Sequence, residues 1–279
     1  MNDKSWANIV KNVRKLSVKD SKEYLAEVFP KPSLKEKKAL KKNISKFILK
    51  LYNQSYSEYL KDEHAFNYEI AEQLMLLPKA NHLIDKLFKE NILKLNESSS
   101  SEEIKEEFIK ILAETIGNFD KEIYTFNLST TQSRRTRAGK TFEYILRKII
   151  EDIYEFDCDY QTKIGALKYK SNDFGSTIDI VIPSVAAYKK DRSRCVLLSS
   201  KTTLRERWGE VIAELVKANV PVIHLCTLDN KITEGVIEEA SAHNIKLVML
   251  KKEAAKHKKN GNVMSFEDFF NSEIKRIIK

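Results

Sequence analysis

Apolar residues in the first part of the chain recur every three or four positions, which is the spacing of one face of a helix. The runs 44–51 (ISKFILKL) and 70–77 (IAEQLMLL) both follow this spacing, and prolines at 30, 32 and 78 interrupt it. A polar run at 96–103 (NESSSSEE) precedes another amphipathic segment at 104–115. The pattern predicts helices and loops, without strands, over residues 1 to 120.

From residue 137 the pattern changes to an alternation of helices and strands. After a helix at 140–154, β-branched or apolar segments bounded by polar residues predict strands. The predicted strands are 158–164, 177–183, 195–202, 221–227 and 245–250, and the predicted helices between and after them are 208–218, 234–243 and 266–278. This order predicts the α/β class, with a mixed β-sheet flanked by helices. We therefore divide the chain into a helical N-terminal region, 1–120, and a sheet-containing core, 121–279.

The charge of the chain indicates a polyanionic partner. The 279 residues carry a formal net charge of +9, which favours nucleic acid or an acidic membrane surface. The first residues do not form a signal region and no run of 18 apolar residues occurs, so a cytoplasmic protein is expected. The three cysteines are too far apart in sequence to suggest a structural zinc site.

Asp179 and Lys201 are the first candidates for catalysis. Asp179 alternates with Ile178 and Ile180, so it is predicted to project from the opposite face of its strand to those apolar neighbours. Lys201 ends the run 196–200 (VLLSS). If the two strands are neighbours, a carboxylate and an ammonium meet, either as a structural ion pair or as a site for Mg²⁺ and an attacking water. A second carboxylate is available on the following helix, where spacing alone does not choose between Glu210 and Glu214.

Two basic segments are candidates for DNA contacts. Arg205-Glu206-Arg207 can read G·C pairs, because arginine bonds G O6 and N7 while glutamate accepts from C N4. The alternative is a solvated helix start, beside which Trp208 is predicted to be a packing residue. The other segment, residues 134–140 (RRTRAGK), is predicted to begin the helix that carries Glu143 and to contact phosphates.

These motifs together resemble one family of enzymes. The run 133–143 (SRRTRAGKTFE), the Asp179–Lys201 pair, serine at 199 and the run 201–208 (KTTLRERW) are similar to the EcoRII, SsoII and PspGI group of type II restriction endonucleases. The similarity covers about residues 130–225. Two departures from the common PD-(D/E)XK motif are Ile178 in place of proline and Ser199 in place of the acid.

The resemblance implies a fold and a set of residue roles. The fold is the restriction-endonuclease-like PD-(D/E)XK core, with Asp179 and Glu214 as Mg²⁺ ligands, Lys201 as the catalytic lysine and Glu143 as a supporting acid. The residues that the resemblance and the basic pattern assign to DNA binding are Arg205, Glu206, Arg207, Gln132, Arg134, Arg135, Arg137 and Lys140, with Gln132 near the central base pair.

The activity implied by the resemblance is double-strand cleavage of DNA. A homodimer is expected to cut a short palindrome of the CCNGG or CCWGG type and to leave 5′-phosphate ends. Two alternatives stay open from the residues: another nuclease of the same fold, for repair or junction resolution, and a sequence-specific DNA-binding module that has lost catalysis.

Overall fold

The computed structural model describes residues 3–91, 100–160, 168–169, 172–173, 178–204, 208–209, 212 and 222–278. The chain forms two compact units, one of Met1–Asp20 with Ser57–Thr136 and one of Ser21–Tyr56 with Arg137–Lys279. This grouping differs from the predicted division at residues 120 and 121, because two long helices each contribute residues to both units. None of the described helices is long and apolar enough to cross a membrane.

Helices alone make up the described chain before the sheet. They are α1 (Asp3–Ser17), α2 (Ser21–Val28), α3 (Leu34–Lys42), α4 (Ile44–Met75), α5 (Pro78–Asn91), α6 (Ser101–Asn118) and α7 (Asp120–Lys148). Two of them begin at capping boxes, in which Ser33 pairs with Glu36 and Ser100 pairs with Glu103. Each box satisfies N–H groups that the first helical turn leaves without a partner. The predicted helical character of this part of the chain is confirmed.

The first unit is held by an aromatic core and by polar bonds between distant helices. Trp6 and Phe66 are 3% and 1% exposed. The indole N–H of Trp6 donates to the backbone oxygen of Glu122 at 2.9 Å. Arg14 lies over the Phe66 ring at 4.6 Å, and its Nη1 donates to Ser129 Oγ at 2.6 Å. These contacts join α1 to α4 and α7.

The second unit contains a mixed six-stranded sheet. Its strands, in spatial order, are β1 (Asp159–Tyr160), β4 (Ile180–Ile182), β5 (Val196–Lys201), β6 (Ile223–Thr227), β7 (Ile245–Met249) and β8 (Val263–Ser265). The β1–β4 and β4–β5 pairs are antiparallel, and the pairs from β5 to β8 are parallel. A separate antiparallel pair joins β2 (Lys168–Tyr169) to β3 (Asn172–Asp173). The predicted α/β class with a mixed sheet is confirmed.

Apolar layers cover both faces of this sheet. One layer packs α7 and its π-helical continuation, Ile149–Tyr154, with the C-terminal helices against residues such as Ile180 and Leu198. The other layer packs Trp208 and Ile237 against residues such as Leu197 and Leu225. Burial on both sides explains why apolar residues of β5 and β6 do not alternate strictly with polar ones, as in the run Val196–Leu198.

The remaining helices follow β4. Those whose bounds lie within the described residues are α8 (Val185–Lys190), α9 (Glu234–Ala242), α10 (Lys251–Ala254), α11 (Phe266–Asp268) and α12 (Ile274–Ile278). The last two are joined by a π-helical turn, Phe269–Glu273, which interrupts the single helix predicted at 266–278. α8 and β8 were not predicted, because six and three residues are too short to show a periodicity.

Candidate active site

Asp179 lies immediately before β4, where the regular strand pairing begins. Its N–H donates to the Leu198 oxygen at 2.9 Å, and the next residue, Ile180, is the register partner of the same Leu198. Ile178 and Ile180 lie in the cores on opposite faces of the sheet. The alternation predicts Ile178 and Ile180 on one face of the strand and Asp179 on the other. This prediction is wrong, because the regular alternation of side chains starts only at Ile180.

Ser200, on the neighbouring strand, donates two hydrogen bonds to the carboxylate of Asp179. Its Oδ2 accepts from the backbone N–H of Ser200 at 2.6 Å and from the Ser200 hydroxyl at 2.8 Å. Asp179 is only 8% exposed, and a buried carboxylate is stabilised in its ionised form by donors of this kind. The two bonds also fix the direction in which the other oxygen, Oδ1, is presented.

Lys201 is the residue that follows Ser200, at the end of β5. The first residues of β4 lie beside the last part of its antiparallel neighbour β5. Asp179 and Lys201 therefore lie at the same end of these two strands. The adjacency of the two strands, on which the predicted acid and lysine pair depended, is confirmed by this register. The arrangement places a buried carboxylate and a lysine at the same end of two neighbouring strands.

Glu143 adds a second carboxyl group from α7. Burial raises the pKa of Glu143 to about 7, and the negative charge of Asp179 adds to the rise against the opposing charges of Lys140 and Arg147. Two neighbouring carboxyl groups raise one another's pKa, and a bound cation favours the ionised form of both. Mg²⁺ prefers oxygen donors and binds through one or two carboxylates, so this pair fits a divalent cation.

The second metal ligand of the common motif is absent from its usual position. Ser199 stands there, 1% exposed, and its hydroxyl has no hydrogen-bond partner within the part of the chain that the structure describes. Among the described residues, no group of three or more His, Cys, Asp and Glu side chains forms a metal-binding cluster. Glu214, the predicted ligand, and its rival Glu210 lie outside the described residues.

The predicted DNA-reading residues Arg205, Glu206 and Arg207 also lie outside the described residues. The residues on either side of them are buried and hydrogen-bonded. Leu204 is 2% exposed and its N–H donates to Asp229 Oδ2 at 2.9 Å. Trp208 is 9% exposed and its indole N–H donates to Glu239. The predicted packing role of Trp208 is confirmed. Asp229 was not predicted, since nothing in the sequence relates it to a residue 25 positions earlier.

The basic segment 134–140 lies in the interior of α7, which begins at Asp120. The prediction that this segment starts the helix is therefore wrong, and the backbone N–H groups there are used within the helix. The helix passes through Gly139, a residue that a helix interior tolerates at a cost of about 1 kcal/mol. Any phosphate contact from this segment must come from side chains.

The predicted DNA-binding side chains of α7 differ in their surroundings. Gln132, Arg135 and Lys140 are exposed and Arg137 is half-buried. Arg134 instead donates through Nε to both carboxylate oxygens of Glu63, at 3.0 and 2.9 Å. The Glu63 side chain is 4% exposed, so this ion pair satisfies a buried charge in the first unit.

The chain combines a mixed α/β sheet with an acid and a lysine at the ends of two neighbouring strands, and comparison with known proteins identifies the family. The family model described as EcoRII C terminal matches residues 102–270. This is more than half of the chain, and the protein belongs to this family. The resemblance inferred from the motifs is confirmed.

Individual proteins are also similar to this chain, one in sequence and two in structure. The chain is 37% identical over 176 residues to the type II restriction enzyme SsoII of Shigella sonnei, a match that covers 61% of this chain and 57% of that enzyme. Its fold is similar to that of Ecl18kI in a metal-depleted complex with uncleaved DNA, with a TM-score of 0.77 and 24% identity over 99% of this chain and 85% of that one. A PspGI complex with substrate DNA matches at a TM-score of 0.46 and 18% identity, over 71% of this chain and 92% of that one.

Proposed function

We propose that this protein is a type II restriction endonuclease that requires Mg²⁺ and hydrolyses both strands of DNA at a short palindrome. The observation that carries the proposal is the Asp179 carboxylate, fixed by Ser200 beside Lys201 and coupled in charge to Glu143. Family membership and the similarity to SsoII support the same class of reaction.

Each residue of the site has a role in this reaction. Asp179 and Glu214 bind the metal, and Glu143 is a supporting acid. The bound Mg²⁺ supplies a Lewis acid for the phosphate and lowers the pKa of a water. Lys201 orients the attacking water and neutralises the charge that develops on the phosphate. Hydrolysis leaves 5′-phosphate and 3′-hydroxyl ends.

Sequence selectivity belongs to Arg205, Glu206 and Arg207 in this proposal. Their side chains read the outer G·C pairs of a CCNGG or CCWGG type of site by the bidentate contacts that G and C offer in the major groove. The anchors at Leu204 and Trp208 support this role, because they fix both ends of the three-residue segment. Gln132 lies near the central base pair.

The exposed cations of α7 contribute binding that does not depend on sequence. The exposed Arg135 and Lys140 contact phosphates together with the half-buried Arg137. Arg134 holds Glu63 while it contributes to the same positive surface. Double-stranded DNA is the substrate and a homodimer is the active form, because a palindrome matches twofold symmetry. The region 1–120 contributes DNA contacts or dimer contacts.

Cleavage and binding by four variants test these assignments. Asp179→Ala should abolish cleavage and leave specific binding intact, and Glu214→Ala should be far more damaging than the matched variant Glu210→Ala. Arg205→Ala should lose about 1 to 3 kcal/mol of discrimination against a wrong base. The assignments fail if Asp179→Ala folds but does not bind, if the two glutamate variants rank the other way, or if Arg205→Ala weakens all sequences equally.

A further inference from the structure

Arg147 lies on α7, one helical turn after Glu143. Residues four positions apart on a helix are neighbours on the same face, and both of these side chains are half-buried. Burial and the charge of Asp179 raise the pKa of Glu143, and the charges of Lys140 and Arg147 oppose that rise. The guanidinium group of Arg147 is therefore close enough for its charge to act on Glu143.

The Arg147 guanidinium is held from two sides. Its central carbon, Cζ, lies 3.5 Å from the centre of the Tyr160 ring, and its Nε donates to Glu151 Oε1 at 3.0 Å. A guanidinium over an aromatic face is attracted electrostatically by the ring. The Arg147 side chain is 24% exposed, so solvent screens these contacts only in part.

Tyr160 connects this arginine to the strand that follows Asp179. Tyr160 belongs to β1, and its register partner on β4 is Ile180, the residue directly after Asp179. The neighbouring Asp159 is 8% exposed, and its Oδ2 accepts from the N–H of Val185 at 2.9 Å. β1 is therefore fixed both to β4 and to the start of α8.

The contact between Arg147 and Tyr160 joins the two elements that carry the acids. α7 carries Glu143, and the β1–β4 pair contains the residue next to Asp179. Mg²⁺ demands a near-ideal arrangement of its oxygen ligands, so two carboxyl groups that serve one ion must be held at a fixed separation. A shift of α7 relative to the strand pair would change that separation.

We propose that Arg147 is a positioning residue for the divalent cation: by its contact with Tyr160 it fixes Glu143, on α7, relative to Asp179, just before β4. This role rests on the proposed function, because it takes the two acids as groups that serve the Mg²⁺ site. In this role Arg147 acts through the acids and not on the DNA. Groups that orient metal ligands from outside the coordination sphere typically change metal affinity by about 10- to 100-fold when they are replaced.

Two substitutions separate this positioning role from a purely electrostatic one. Tyr160→Leu removes the ring and leaves every charge in place, whereas Arg147→Met removes the charge together with the contact. If Arg147 positions the acids, both variants should bind a cation more weakly, and the double variant should be no weaker than the worse single one, because both remove the same contact. If Arg147 acted only as a nearby positive charge, Arg147→Met would bind the cation more tightly and Tyr160→Leu would bind it as the wild type does.

Lys148→Met is the matched control. Lys148 is the next residue on α7, and it also pairs with a carboxylate four residues further on, that of Asp152 at 3.0 Å. It also lies over an aromatic ring, that of Phe29 at 5.9 Å. Phe29 lies between α2 and α3 and not in the sheet, so the loss of this contact should leave cation binding unchanged.

Mn²⁺ binding by the full-length protein, without DNA, measures the effect directly, because the electron paramagnetic resonance signal of free Mn²⁺ falls as the ion is bound. The relevant site is the one whose binding Asp179→Ala loses. Arg147→Met and Tyr160→Leu should each weaken this binding by about 10-fold, and the Mg²⁺ concentration for half-maximal single-turnover cleavage should rise by a similar factor. Lys148→Met should match the wild type in both measurements. Circular dichroism and thermal melts check that every variant folds.

Wild-type affinity for Mn²⁺ in folded Tyr160→Leu overturns the proposal, and so does tighter binding by Arg147→Met or an equal loss in Lys148→Met. Arg147→Met alone decides the question if Tyr160→Leu does not fold, because the two accounts predict opposite shifts for it. A wild-type chain with no Mn²⁺ binding that depends on Asp179 would contradict the proposed metal site as well as this role. If the Mn²⁺ affinities follow the predicted pattern but no DNA is cut, the proposed function fails and the role of Arg147 in cation binding stands.

Discussion

At the scale of single residues, Ser200 controls how the Asp179 carboxylate is presented. Its hydroxyl and its backbone N–H both donate to the same carboxylate oxygen. Ser200→Ala removes one of the two bonds and should slow single-turnover cleavage by roughly 5- to 10-fold, as expected for about 1 to 1.5 kcal/mol.

The adjacent serine offers a matched control. The hydroxyl of Ser199 has no hydrogen-bond partner among the described residues, so Ser199→Ala should leave the single-turnover rate unchanged. Equal rate losses in the two alanine variants would show that the hydroxyl of Ser200 has no special role in orienting Asp179.

Glu143 makes the stability of the metal-free protein depend on pH. Its pKa is about 7 in the folded chain and 4.5 as the ordinary value, so the folded state holds a proton between these pH values that the unfolded state has lost. The free energy of unfolding therefore falls as pH rises from 4.5 through 7. Above pH 7 the ionised carboxyl destabilises the fold by a constant amount.

Glu143→Gln should remove this dependence. In EDTA at pH 8 the variant should be more stable than the wild type by on the order of 1 to 3 kcal/mol, and at pH 5 the two should nearly coincide. Urea unfolding at both pH values measures the difference. A stability difference that is the same at pH 5 and pH 8 would contradict the raised pKa.

At the scale of elements, α7 is longer than its sequence suggests. The segment 134–140 is predicted to begin the helix that carries Glu143, yet the helix runs from Asp120 to Lys148. A Cβ at Gly139 would meet nothing within 4 Å. Gly139→Ala should therefore raise the free energy of unfolding by about 0.5 to 1 kcal/mol. A destabilised variant would indicate that the helix is interrupted there.

The loop after β6 is predicted to support the segment that we propose to read DNA. Asp229 accepts from the N–H of Leu204 and, through Oδ1, from the N–H of Lys231 at 3.0 Å. Asp229→Ala should leave these buried or half-buried donors unpaired, at a cost of about 1 to 3 kcal/mol in stability, and should reduce the discrimination between cognate and altered sites. Asp229→Asn keeps an acceptor and should restore most of the stability and most of the discrimination. Unchanged discrimination in the alanine variant would show that Asp229 does not have this role.

Much of the element order could be predicted from the sequence, because it depends on local patterns. The strands predicted at 195–202, 221–227 and 245–250 match β5, β6 and β7 to within two residues at each end. The contacts that complete the site could not be predicted. Ser200 bonds to a residue 21 positions away and Arg134 to one 71 positions away, and no periodicity in the sequence relates such positions.

At the scale of the whole molecule, charge is distributed unequally between surfaces. The chain is basic overall, whereas α6 is acidic and apolar. The positive charge is what the proposed DNA substrate requires, because cations neutralise its phosphates. The family assignment and the acid and lysine at the ends of neighbouring strands agree with that substrate.

The central claim is sequence-specific, metal-dependent cleavage, and the ends of the DNA products test it most directly. Purified wild-type protein is incubated with unmethylated phage DNA, with and without Mg²⁺, and the fragment ends are sequenced. The account predicts discrete fragments only with Mg²⁺, all with 5′-phosphate ends at one CCNGG or CCWGG type of site. Smeared products without a common site would contradict sequence-specific cleavage, and DNA that is bound but never cut would contradict the assignment as an enzyme.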